Sequence, residues 1–199
     1  MRLRELSVPG ALEITPEQLR DPRGAFMEWY RFDLLAEAVG HPLRLAQGNL
    51  SVSGRGVVRG IHFADVPPGQ AKYVSCVRGA VLDAVVDLRV GSPTFGTWEL
   101  VRLDEVERKC LYVCEGLGHG FCALTDGAAL SYICSETYNP GGEHGVHPLD
   151  PDLGIAWPVD EPRLSAKDAV APSLARALAT GLLPDYTACQ EYTASLRLS

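Results

Sequence analysis

Turn-forming clusters cut this chain into short lengths: DPRG (21–24), SGRG (53–56), VPPG (66–69), GSPTFG (91–96), GLG (116–118), TDG (125–127) and NPGG (139–142). Glycine supplies positive φ and proline a fixed φ, so each cluster ends whatever element precedes it. The stretches between them are brief and rich in β-branched and aromatic residues. Strands are predicted at 11–15, 24–31, 44–53, 57–63, 70–77, 80–89, 97–102, 109–115, 119–125 and 128–136. Helical pattern is confined to 32–40, ending at Gly40, and 173–181, ending at Gly181. Many short antiparallel strands in 199 residues predict an all-β sandwich or jelly-roll barrel with a few short peripheral helices, one of them near the C-terminus. No repeat or linker interrupts the chain, so one domain over 1–199 is expected.

Alternation within the strands says which faces matter. In AVLDAVVDLR, Ala80, Leu82, Ala84, Val86 and Leu88 form an apolar set, while Asp83, Asp87 and Arg89 lie among Val81 and Val85 on the other side. In QGNLSVS, Gln47, Asn49, Ser51 and Ser53 share one face and Leu50 and Val52 the other. Gln70 and Lys72 share a face with Val74 and Cys76. Tyr132, Cys134, Glu136 and Tyr138 share parity. Faces turned to water normally carry more Lys and Glu than these. Amides, hydroxyls and single charges among apolar residues fit a barrel lumen that holds a polar ligand.

Bulk properties limit the ligand class. The net charge of −7 argues against broad attraction to nucleic acid or anionic membrane. A local basic pocket for a phosphorylated ligand remains open, built from Arg23, Arg59, Lys72 and Lys167. No apolar run reaches membrane-spanning length, and MRLRELSVPGALEI lacks the apolar core of a secretory signal. A cytoplasmic protein is expected. Its six cysteines contain no CxxC and sit mostly in apolar segments, which predicts reduced, buried thiols.

Three chemistries compete for the five histidines. Metal-binding barrels of this architecture usually carry two histidines one residue apart, but the residue two before His62 is Gly60, and His144 and His147 lie in turn-rich GGEHGVHP. No metal is expected. No nucleophile elbow and no glycine-rich phosphate loop is present, which argues against acyl transfer, nicotinamide and ATP. General acid–base chemistry remains for His62, because an imidazole titrates near neutrality, with Lys72 available to stabilise an oxyanion. A hydrogen-bonded structural histidine is the competing account, and spacing alone does not separate the two.

The ordered motifs DPRGAFMEWY (21–30), QGNLSVS (47–53), GVVRGIHF (56–63), residues 67–98 from PPGQAKY to FGTW, GLGHGF (116–121), YICSETYNPGGEHGV (132–146), DPDLGIAWP (150–158) and LSAKDAVAPSL (164–174) closely resemble the dTDP-4-dehydrorhamnose 3,5-epimerase family. The resemblance implies a cofactor-free jelly roll of the cupin type, usually a homodimer. It also implies the substrate dTDP-4-dehydro-6-deoxy-D-glucose, inverted at C3 and C5 to dTDP-4-dehydro-L-rhamnose in rhamnose or related deoxysugar biosynthesis. His62 matches the family's base and Asp168 its dyad partner. Tyr132 matches the acid and Lys72 the donor to the C4 oxyanion, with Asp83 expected to pair with Lys72. Arg23, Phe26, Glu28, Gln47, Asn49, Arg59, His119, Tyr138, Glu143 and Lys167 match the binding shell. Arg59, His119 and Lys167 suit sugar or diphosphate oxygens, and Tyr138 suits stacking on thymine. Arg23, Phe26 and Glu28 belong to a strand expected to complete the partner subunit's site. A mono-epimerase acting at C3 or C5 alone is the alternative within the family. A non-catalytic or metal-binding barrel is the alternative outside it.

Overall fold

The computed structural model describes residues 1–197. In chain order its strands are β1 (Arg2–Glu5), β2 (Ala11–Thr15), β3 (Leu19–Asp21), β4 (Gly24–Phe26), β5 (Gln47–Ser53), β6 (Val58–Ala64), β7 (Lys72–Arg78), β8 (Ala80–Asp87), β9 (Trp98–Asp104), β10 (Cys110–Val113), β11 (Leu117–Ala123), β12 (Ala128–Cys134) and β13 (Glu143–Gly145). Helix α1 (Phe32–Val39) follows β4. Helices α2 (Ala166–Ala169), α3 (Leu174–Ala179) and α4 (Tyr186–Leu196) follow β13. One antiparallel sheet runs β1-β2-β10-β7-β12-β5 and a second β13-β6-β11-β8-β9, with β3 and β4 as a separate hairpin. The two larger sheets form the jelly roll, and no helix is long and apolar enough to cross a membrane among the described residues.

Several elements differ from expectation. The strand predicted at 24–31 ends at Phe26, and residues 27–31 run without regular structure into α1. That helix ends as predicted, with Gly40 at φ 86°, a left-handed cap that spares the chain a Cβ penalty. β1, β3, β13, α2 and α4 have no counterpart among the predicted elements. β3 and β13 span three residues each, too few for alternation to register.

Packing fills the space between the sheets. Val74, Cys76, Leu111, Val113 and Leu130 of the first sheet meet Val81, Val85, Val101, Leu103 and Phe121 of the second in one buried cluster. The second sheet is also covered on its outer side. Ala84, Val86 and Leu88 pack against Leu153, Ile155, Leu174, Ala177 and Leu183 from the C-terminal third. Both faces of β8 are therefore buried, and its charges need internal partners. Asp87 finds them in Arg89 (Nε to Oδ1, 2.8 Å), Ser92 and Thr94 (each 2.6 Å to Oδ2). Trp157 packs against the same outer cluster and donates Nε1–H to the Pro148 carbonyl at 2.9 Å, a core position.

β5 is arranged inside out relative to an ordinary strand. Gln47, Asn49, Ser51 and Ser53 point inward, while Leu50 (65% exposed) and Val52 (61%) face outward. Apolar residues normally take the buried side. The inversion shows that the lumen beside β5 is built for polar contacts.

Candidate active site

A cavity of about 510 Å³ opens between the two sheets, bordered by Tyr132, which packs against the apolar cluster. His62 enters it from β6 of one sheet; Lys72 and Tyr132 enter from β7 and β12 of the other. Base and acid candidates thus approach the same space from opposite walls.

Three features aim His62. Its strand is bent by a register shift against β11 between His119 and Phe121. Gly60 occupies the bend at φ 113°, and a Cβ there would lie 2.6 Å from the Gly120 Cα and 2.7 Å from the His119 carbonyl oxygen, so only glycine fits. Finally, the imidazole Nε2 lies 2.7 Å from Asp168 Oδ1. Asp168 is itself fixed by α2, whose N-cap Ser165 accepts the Asp168 N–H at 3.0 Å. Burial pushes the Asp168 carboxyl up, but the hydrogen bonds from His62 and Ser165 outweigh it and hold the group below the usual carboxylate range. An ionised Asp168 accepting from Nε2–H leaves the lone pair on Nδ1, the form a base requires.

The opposite wall carries the proton and the counter-charge. Burial, reinforced by the field of Cys134, raises the Tyr132 phenol above its ordinary value despite Arg59, so it stays protonated at neutral pH. Lys72 is buried at the cavity wall, and burial lowers its pKa; the fields of Cys134, Glu143, Glu115 and Asp83 work against that. A hydrogen-bonded chain crosses the floor beside them. The Tyr138 N–H donates to Gln47 Oε1 (2.8 Å), Gln47 Nε2 to Asn49 Oδ1 (2.9 Å), and Asn49 Nδ2 to Cys134 Sγ (3.6 Å). Glu143 Oε1 accepts from the Asn139 N–H (3.2 Å) and Gln70 Nε2 (3.4 Å), and Arg59 Nε donates to Ser53 Oγ (3.0 Å).

Of the residues proposed from sequence, His62, Asp168, Tyr132, Lys72, Gln47, Asn49, Arg59, Tyr138, Glu143 and Lys167 all line this cavity. Two expectations need correction. Asp83 does not pair with Lys72: it is wholly buried and receives His119 Nε2, 3.0 Å from Oδ2 with good geometry and 2.9 Å from Oδ1. His119 does not line the cavity. It stands directly opposite His62 in the β6–β11 register, where burial and Asp83 hold its ring in the wall. Within one chain, Arg23, Phe26 and Glu28 also lie elsewhere. Arg23 pairs with Asp21 (2.5 Å), Glu28 with Arg31 (3.1 Å), and Phe26 is 68% exposed.

The lining also includes Phe63, Ala64, Gln70, His144 and Ser165. Gln70 was signalled by sharing parity with Lys72. Ser165 was signalled only by the capping pattern S-x-x-D ahead of Asp168. His144, weighed as a metal ligand, instead meets Asp65 at 2.9 Å. The three histidines nearest the cavity are thus each matched to a separate aspartate.

The sequence profile of the dTDP-4-dehydrorhamnose 3,5-epimerase family matches residues 5–176. The chain belongs to this family. A dTDP-4-dehydrorhamnose 3-epimerase from Streptomyces niveus is 65% identical over 193 residues, covering 97% of this chain and 93% of that one. A dTDP-4-dehydrorhamnose 3,5-epimerase from Mycolicibacterium smegmatis is 54% identical, covering 99% and 98%. The crystal structure of a 3′-monoepimerase from Streptomyces bikiniensis in complex with dTDP-quinovose superposes with a TM-score of 0.95 at 53% identity, covering 98% of each chain. The chain is therefore a carbohydrate epimerase, and the family's members include both double and single epimerases.

Proposed function

We propose that this epimerase takes dTDP-4-dehydro-6-deoxy-D-glucose and inverts C3 and C5 to give dTDP-4-dehydro-L-rhamnose. One observation carries the proposal: a His62–Asp168 dyad and a protonated Tyr132 line one cavity from opposite sheets, with the buried Lys72 beside them. C3 and C5 both flank the C4 ketone, so their protons are acidic through the enolate. His62 removes a proton from one face, and the electron pair moves onto O4, where Lys72 stabilises it. Tyr132 returns a proton to the opposite face, and the centre inverts. A donor placed on such an oxyanion typically lowers the barrier by about 2.7–4 kcal/mol. Gln47, Asn49, Arg59, Glu143 and Lys167 bind the sugar and diphosphate, and Tyr138 stacks on the base.

We assign the remaining shell residues Arg23, Phe26 and Glu28 to the site of a second copy, in a homodimer. The exposed outer face around Leu50 and Val52 supports it. The six unpaired thiols support a reducing, cytoplasmic setting and a single-domain enzyme needing no disulfide. The 65% identity to a 3-epimerase favours a second reading, inversion at C3 alone.

Incubating the protein with the substrate in deuterated water and following C3–H and C5–H by NMR separates them. Solvent exchange at both centres, with an L-configured product after reduction, is expected. Exchange at C3 alone selects the second reading. His62→Ala abolishes exchange; exchange persisting at the wild-type rate in that variant overturns the assignment of the base.

A further inference from the structure

Lys72 raises an electrostatic problem that the substrate-contacting residues do not solve. Lys72 is 8% exposed, at the cavity wall, and burial favours loss of its proton unless a nearby negative charge opposes it. The ion pairs around the cavity go elsewhere: Asp168 to His62, Asp83 to His119 and Asp65 to His144. Among the described residues Lys72 forms none within 4 Å.

The charged and titratable groups that face it come from four elements. β12 presents Cys134, with the Tyr132 phenol in the same cavity. β8 presents Asp83, already engaged by His119, and β13 presents Glu143, which lines the cavity. The turn after β10 presents Glu115. Asp83 and Glu115 are both buried, stand outside the cavity lining and keep one carboxylate oxygen without a hydrogen bond, but Asp83 is engaged by His119, whereas Glu115, 3% exposed, forms no ion pair among the described residues. Its position is fixed by chain geometry. Val113 of β10 lies opposite Lys72 of β7, and Glu115 follows two residues later. The turn at Gly69 closes over it so tightly that a Cβ at Gly69 would sit 2.6 Å from the Glu115 Cβ. Burial pushes the Glu115 carboxyl above the usual carboxylate range, and its own backbone N–H, the Lys72 charge and Ser135, whose hydroxyl accepts the Ala71 N–H at 2.8 Å, pull it back down. Glu115 faces in addition Glu136, itself 3.5 Å from Arg44, and Tyr112, Cys114 and Tyr192. Lys72 is the cation whose field reaches it.

We propose that Glu115 is a positioning residue for the epimerisation: its buried carboxylate supplies the counter-charge that keeps the Lys72 ammonium protonated beneath the substrate, without touching the substrate itself. This rests on the assignment of Lys72 to the enolate oxygen. The division of labour is chemical. Glu143 lies where substrate binds, so its carboxylate is free to meet sugar hydroxyls. A counter-charge in direct contact with Lys72 would compete with the enolate for the same protons. A carboxylate set behind the lysine neutralises the burial cost and leaves the donor face open.

The sign is fixed. Removing the Glu115 charge leaves burial less opposed, so Lys72 loses its proton at lower pH. Glu115→Gln therefore moves the alkaline limb of C3 and C5 exchange downward by about one pH unit, with KM for the sugar nucleotide at neutral pH unchanged. Glu115→Asp restores the limb. The titration of Lys72 itself, followed by NMR of ¹³C-lysine-labelled ligand-free protein and assigned by its loss in Lys72→Met, moves by the same amount. A limb and a titration both unmoved in Glu115→Gln overturn the proposal. A titration that moves while the exchange profile stays fixed leaves the charge pairing standing and removes Lys72 from the chemistry. Should Glu115→Gln not fold, the ¹³C-lysine titration of the wild-type protein decides: a Lys72 ammonium that keeps its proton above neutral pH is expected, and one already neutral there overturns the proposal.

Discussion

Tyr132 and His62 occupy different sheets, so removing one leaves the other's wall intact. Tyr132→Phe keeps the ring and the packing and deletes only the proton. His62 still forms the enolate, and its own protonated imidazole still returns hydrogen to the face it came from. Solvent exchange with retention should persist while inversion falls by about 10²–10⁴-fold. The two are separated by following deuterium incorporation and L-configured product in one sample. Full inversion in the variant removes Tyr132 from the role of acid. At this scale the sequence was informative about faces and silent about neighbours. Parity alone placed Gln47, Asn49, Lys72 and Tyr132 on polar faces, and the cavity gathers all four. Parity did not show that Asp83 meets His119 and not Lys72, because that depends on how β8, β11 and β7 are stacked. Nor did spacing connect His62 with Asp168, 106 residues later; only the family resemblance did.

Elements of full strand length were legible because alternation had several repeats in which to show itself, as in β5 and β8. α4 was not legible. YTACQEYTASL has little apolar asymmetry, and Cys189 is its one fully buried residue. The short helix α2 was equally silent, yet it delivers Asp168. The β6–β11 bend shows how an element, and not a residue, sets the chemistry. At Gly60 a methyl group would strike two backbone atoms of β11 at 2.6–2.7 Å, where nothing flexible can yield. At Gly56 the φ is also positive, 80°, but nothing stands within 4 Å of a Cβ. Gly56→Ala should therefore cost only the left-handed backbone penalty, roughly 1–2 kcal/mol. Gly60→Ala should cost more, because β6 must separate from β11, and should also displace His62 and Arg59. Thermal unfolding of the two variants beside exchange assays tests this. Equal losses of stability would falsify the view that close strand approach fixes the bend.

On the scale of the whole molecule, the outer face of the six-stranded sheet is the surface least suited to water. α1 and the segment after it cover part of it: Leu35 of the helix and Leu43 beyond it pack with Tyr73, Cys110 and Tyr112. Beyond that cover, Leu50, Val52 and Val77 stand exposed, and Trp29 shares a groove with Val77, Ser75 and Ser131. Small residues fill the register between them, Leu50 opposite Ser131 and Ser131 opposite Ser75, so another sheet has room to approach closely. β5 is also the edge of its sheet, and an edge strand with outward apolar residues invites pairing unless it is covered. A second copy in the proposed dimer would cover it, burying side chains worth about 1.5–3 kcal/mol each. The same contact would place Arg23, Phe26 and Glu28 beside the other copy's cavity, which they do not reach in their own chain. Leu50→Glu together with Val52→Glu should then produce a folded monomer by sedimentation velocity. Its KM for the sugar nucleotide should rise while His62 and Tyr132 remain in place, and residual exchange should recover as protein concentration increases. A wild-type protein that sediments as a monomer at concentrations where it is fully active would remove the partner strand from the site, and Arg23, Phe26 and Glu28 with it.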